Sequence, residues 1–157
     1  MQLQQLRSEI NSVNEQIILL IKERSYYSQK VKINKDTKIL RFYSELLLDL
    51  CPKEGKESSK ALDLKLLELC DKRINLLGER VAKAKLKENP SLLEVKTKEE
   101  IEKAVTDPER EKEVISKILK SAEEIGISNL PAIEKFFKKL ISLTTNTQID
   151  YIKTISR

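Results

Sequence analysis

Histidine is absent from this chain of 157 residues, and glycine, proline and cysteine number only three, four and two. Without histidine the commonest general base is missing, and with it the usual serine and cysteine triads and most zinc sites. An enzyme built from this sequence needs a reaction with little proton transfer. No metal or organic cofactor is indicated. Cys51 and Cys70 lie far apart and form no Cys-x-x-Cys pair, so two free thiols in a cytoplasmic protein are expected. No run of about 18 apolar residues occurs, so no membrane partner is expected. The opening residues, Met1 to Arg7, do not read as a signal peptide. Aromatics make up only 4% of the chain, which leaves little with which to stack nucleic-acid bases.

What is present is leucine, isoleucine, lysine and glutamate. The chain is 39% hydrophobic and 35% charged. With so few helix breakers, this composition reads as one all-α domain over residues 1–157, a helical bundle with a long N-terminal helix. The net charge of +5 suits an anionic ligand. It is too mild, and too evenly mixed with glutamate, for a nucleic-acid surface.

From Leu3 the apolar residues recur at alternating spacings of three and four: Leu3, Leu6, Ile10, Val13, Ile17, Leu20, then Arg24, Tyr27 and Val31. This is the seam of a helix packed on another helix. An unpaired guanidinium in such a seam costs on the order of several kcal/mol. Arg24 therefore either snorkels to water or meets an anion. Lys35 lies eleven residues on, about 1100° of rotation and within about 20° of the same face.

The first helix is expected from about residue 3 to about 48, with a break possible near Asp36-Thr37. A linker spans Cys51 to Ser59 and a second helix runs from about 60 to 88, ended by Asn89-Pro90. Lys98 to Val105 form a short helix. Asp107 reads as an N-cap with Pro108 as the first helical residue, and that helix stops at Gly126. Pro131 opens a last helix whose apolar stripe turns polar at Thr144, Thr147 and Gln148. There is also an internal echo. Ile17 to Lys35 resembles Leu66 to Lys85, with Lys22-Glu23-Arg24 set against Asp71-Lys72-Arg73, but the second copy carries one extra residue.

Three polar clusters stand at helical spacing: Arg24 with Lys35; Asp107, Arg110 and Glu111; and Thr144 with Gln148. Together they resemble the all-helical chorismate mutases. "LQQLRSEINSVNEQIILLIKERSYYSQKVKINK" is similar to the first helix of that family, "TDPEREKEVISKIL" to the start of its second and "FFKKLISLTTNTQ" to its third. The chain departs from the family's short form in the roughly seventy residues that separate the first two of these segments. Two threadings follow. In the first, which has the unbroken spacing and is preferred, Arg24 and Lys35 face the site and residues 37–105 are an insertion. In the second, the echo supplies Arg73 and Lys85, and the N-terminal helix is a duplicated partner.

The resemblance implies rearrangement of the dicarboxylate chorismate to prephenate, a step of aromatic amino acid synthesis that needs no nucleophile, cofactor or metal. It implies that Arg7 and Arg24 clamp carboxylates and that Lys35 and Gln148 donate to the breaking ether oxygen. Glu111, with the Asp107 backbone, would hold the ring hydroxyl, and Arg110 and Thr144 would complete the carboxylate end. A neutral donor at Gln148 implies activity that falls little from neutral to mildly alkaline pH. Arg7 lies seventeen residues before Arg24, about 100° around the helix and about 25 Å along it. The two cannot easily serve one pocket, so the resemblance implies a homodimer, unless the long chain folds back on itself. Two other readings stay open: an isochorismate-pyruvate lyase using the same cations, and a non-catalytic helical interaction protein on the same scaffold.

Overall fold

The computed structural model describes residues 2–24, 29–30, 53–54, 57–94 and 97–155. Helix α1 (Leu3–Arg24) comes first. A two-residue strand β1 (Gln29–Lys30) then pairs in parallel with β2 (Lys53–Glu54). Helix α2 (Glu57–Asp71) continues through a π-helical turn (Lys72–Leu77) into α3 (Gly78–Glu88). A 3₁₀ turn (Pro90–Glu94) leads to α4 (Lys98–Val105), α5 (Pro108–Glu124) and α6 (Leu130–Ile155). Among the described residues no helix is long and apolar enough to cross a membrane.

The first helix is not continuous to residue 48, because Gln29–Lys30 is extended. The intervening Ser25-Tyr26-Tyr27-Ser28 is composed of weak helix formers. Along α1 the expected seam is buried at Leu3, Leu6, Val13, Ile17 and Leu20. Arg24 closes α1, and its side chain lies outside the described residues, as does the whole of Lys35.

The core forms where α1 and α2 meet α5 and α6. Leu66, Ile74 and Leu77 pack with Ile17, Ile18, Ile118 and Phe137. Phe136 and Phe137 are fully buried, with ring centroids 5.2 Å apart at 90°, the edge-to-face arrangement that ring quadrupoles favour. A smaller cluster of Ala82, Ile101, Val105, Ile149 and Ile152 joins α3, α4 and α6.

The helix ends follow the sequence. Asp107 Oδ1 accepts from the Arg110 amide at 3.2 Å, with Pro108 at the first helical position. Thr97 caps α4 in the same way. Gly126 takes φ 87° after α5, a left-handed conformation that favours glycine. Its carbonyl accepts from Lys22 Nζ at 3.2 Å, tying α1 to the end of α5.

Gly78 sets the approach of α3 to α6. A Cβ there would lie 3.2 Å from Thr147 Cβ and Cγ2 and 3.3 Å from the Thr144 carbonyl. The neighbours are a stiff β-branched side chain and a backbone atom, so neither yields easily. In Gly78→Ala the gain in helix propensity, about 1 kcal/mol, is outweighed by crowding. A net loss of about 1 kcal/mol is expected on chemical denaturation; a more stable variant would show that the two helices separate at little cost.

Candidate active site

The helices line a half-open pocket of about 450 Å³. Helix α1 brings Arg7 and Asn11, the π turn Arg73 and α3 Lys85. The start of α5 brings Asp107, Arg110 and Glu111, and α6 brings Thr144 and Gln148. Four cations and two carboxylates line it, an excess of two positive charges suited to a dianion.

Arg73 is the deepest of the cations, 4% exposed. Its Nε donates to Asn14 Oδ1 at 2.7 Å, and Nη1 donates to Thr144 Oγ1 at 2.5 Å. The Thr144 hydroxyl in turn donates to the Leu140 carbonyl at 2.8 Å. Among the described residues no carboxylate pairs with Arg73. Burial lowers its pKa to about 10, opposed by the neighbouring Cys70, so it stays charged at neutral pH. Burial conversely pushes the Cys70 thiol up to about 12, which makes it an inert core group.

Lys85 Nζ donates to the Val105 carbonyl at 2.7 Å and to Gln148 Oε1 at 2.8 Å. Burial, then repulsion from Arg7 and Arg110, lowers its pKa to about 8, while Glu111 and Asp107 resist. An ammonium donates only, so the Gln148 oxygen faces Lys85 and its amide NH₂ is turned to donate elsewhere. Partial burial and Arg7 also lower the Arg110 pKa, against the pull of Asp107 and Glu113.

Of the residues singled out in the sequence, Arg7, Asp107, Arg110, Glu111, Thr144 and Gln148 all line this pocket. Arg24 and Lys35 are not placed there, because their side chains lie outside the described residues. The described cations that occupy the corresponding place are Arg73 and Lys85, those of the second threading. They are twelve residues apart, and on an ideal helix they would diverge by about 120°. The π turn at Lys72–Leu77 takes up the extra residue and restores the common face. This is why the echo looks out of register in the sequence.

Two further results bear on the sequence expectations. Arg7 lines the pocket of its own chain, which is the fold-back alternative that the sequence left open beside a homodimer. Asn14, not singled out from the sequence, is 2% exposed and holds Arg73. In the sequence it stands only as the last residue of the Ile-x-x-Val-Asn stretch that shares in the resemblance, beside the seam position Val13 and with no role assigned to it.

The register argument gives a test. Deleting Leu76, an exposed residue of the π turn, should let the turn relax to α-helix and leave the thermal midpoint equal or higher. Deleting Lys83, exposed in the regular α3, should turn every later residue of that helix by about 100° and lower the midpoint by more than about 10 °C. Equal losses in the two variants would show that the extra residue is not held in the turn.

The chain matches the family model for chorismate mutase type II over residues 56–149. No curated protein and no solved structure matches it. The matched stretch begins just before α2 and ends just after Gln148, so it takes in the helix that carries Arg73 and Lys85 and most of the supposed insertion. It covers more than half of the chain, in a molecule whose described residues are nearly all helical and whose pocket gathers cations on matched and unmatched helices alike. On that match the chain belongs to the chorismate mutase type II family.

Proposed function

We propose that this pocket binds chorismate and rearranges it to prephenate, supplying aromatic amino acid synthesis, with Arg73 and Lys85 in the roles that the first threading gave to Arg24 and Lys35. The observation that carries the proposal is the convergence of a buried arginine and a half-buried lysine, Arg73 and Lys85, with Gln148 and Thr144 in a pocket with an excess of positive charge. The reaction is intramolecular: an ether C–O bond breaks as a C–C bond forms. The protein has only to hold a compact conformer and stabilise charge developing on the ether oxygen. This suits a chain without histidine.

Arg73 and Arg7 clamp carboxylates, because a planar guanidinium matches a carboxylate fork. Lys85 and the Gln148 amide donate to the ether oxygen. Their hydrogen bond to each other prepositions both before substrate arrives. Glu111 and the Asp107 backbone hold the ring hydroxyl, and Arg110 and Thr144 finish the carboxylate end. Arg7 comes from the same chain, so one copy carries the whole set and no second copy is required.

Loss of chorismate absorbance, with chromatographic identification of the product, tests the proposal. Arg73→Ala should lower kcat/KM by at least about a thousandfold, with circular dichroism confirming that the variant is folded. Arg24→Ala, measured alongside, decides between the threadings: activity lost there and kept in Arg73→Ala would move the site to the first. Pyruvate released from isochorismate would identify the lyase, and turnover of neither substrate would leave a binding role.

The pH profile supplies a second test. Lys85 must keep its proton to donate, and burial with the repulsion of Arg7 and Arg110 lowers its pKa to about 8. kcat/KM reports the free enzyme and should fall as pH rises through about 8. A bound dianion favours the ammonium, so kcat should hold to higher pH. Gln148 adds no acid limb, but Lys85 narrows the alkaline tolerance that Gln148 alone implied. A kcat/KM flat from about pH 7 to about pH 10 would sink the role given to Lys85.

A further inference from the structure

Helix α1 ends some thirty residues before the stretch matched to the family begins, yet it does more than cover the core. Its polar residue Asn14 is buried at 2% exposure and points at the guanidinium of Arg73. We infer that Asn14 is a positioning residue for the proposed reaction: its side-chain oxygen locks Arg73 in the orientation that presents Nη2 to a ligand carboxylate, without neutralising the charge.

The geometry carries this. A guanidinium has five N–H groups in one plane. Nε is held by Asn14 at 2.7 Å and Nη1 by Thr144 at 2.5 Å, so two anchors from opposite sides, α1 and α6, fix both the plane and its rotation. Nη2 has no partner among the described residues, and Arg73 lines the pocket. The chemistry of the anchors matters as much as their place. Asn14 and Thr144 are both neutral. A carboxylate at Asn14 would satisfy Nε equally well but would compete with the ligand for the same charge. A neutral oxygen fixes the geometry and leaves the full positive charge for the ligand.

The alternative is that Asn14 merely satisfies a buried donor. The two differ in what Asn14→Ala does. The test uses the full chain with Asn14→Ala and Asn14→Asp. The Arg73 Nε–H resonance in ¹H–¹⁵N NMR, assigned by its disappearance in Arg73→Lys, reports the lock directly. The wild type and Asn14→Asp should show a resonance protected from water exchange, and Asn14→Ala should lose it. Thermal unfolding identifies any variant that is simply unfolded, and Asn14→Asp keeps the test decisive in that event.

The kinetic arm rests on the mutase proposal. Asn14→Ala should raise KM for chorismate about tenfold or more with a smaller fall in kcat, because a loose Arg73 binds ground and transition states more weakly alike. Asn14→Asp should recover at least about threefold in kcat/KM over Asn14→Ala while staying below the wild type. An Asn14→Ala variant that keeps the protected Nε–H and a KM within about twofold of wild type overturns the inference. So does Asn14→Asp if it behaves as poorly as alanine. Were the wild type not to turn over chorismate, the mutase proposal would fall and the NMR arm alone would judge Asn14.

Discussion

The structure depends on a guanidinium buried without a carboxylate. Taking Arg73 out of water costs on the order of several kcal/mol, and no described acid repays it. Its cost is reduced by neutral oxygens from two other helices, Asn14 on α1 and Thr144 on α6, and by the apolar packing that surrounds it. The result is a cation held firmly and left electrostatically incomplete. Lys85 repeats the pattern one layer away, its ammonium held by a backbone carbonyl and a glutamine rather than by an acid. A pocket arranged in this way has its strongest interaction in reserve for an anion.

Close helix packing makes this possible. Arg73 and Lys85 stand about three turns apart on their helix, and their long side chains reach Thr144 and Gln148, one turn apart on α6. That requires α3 and α6 to approach at Gly78, where a methyl group would meet Thr147 and the Thr144 backbone. It also requires Arg73 and Lys85 to share a face despite a twelve-residue spacing, which the π turn provides. The two devices lie next to each other in the chain, and the positions of both cations follow from them.

Much of the architecture was legible in the residues. The cap at Asp107, the short helix from Lys98 to Val105, the glycine stop at Gly126 and the buried seam of α1 depend on near neighbours, so local rules suffice for them. The polar break at Thr144 and Gln148 in an apolar stripe likewise marked the pocket wall before any fold was known. The cation pair was harder. Arg24 and Lys35 have the ideal spacing, while Arg73 and Lys85 are off by one, and a periodicity count has no means of seeing a π turn. Asn14 was harder still, because an asparagine beside a seam looks the same whether it faces water or a guanidinium.

By itself, the sequence determined the all-helical class, the boundaries of the C-terminal helices and the absence of histidine chemistry, because composition and capping act over a few residues. It also supplied an excess of basic groups with no indication of where that excess would collect. Tertiary structure decided which of the described cations meet, that Arg7 lines a pocket of its own chain and that Asn14 holds Arg73. Those outcomes depend on helix register and approach across more than fifty residues of chain, set by one extra residue in one helix and one missing side chain at its contact with another.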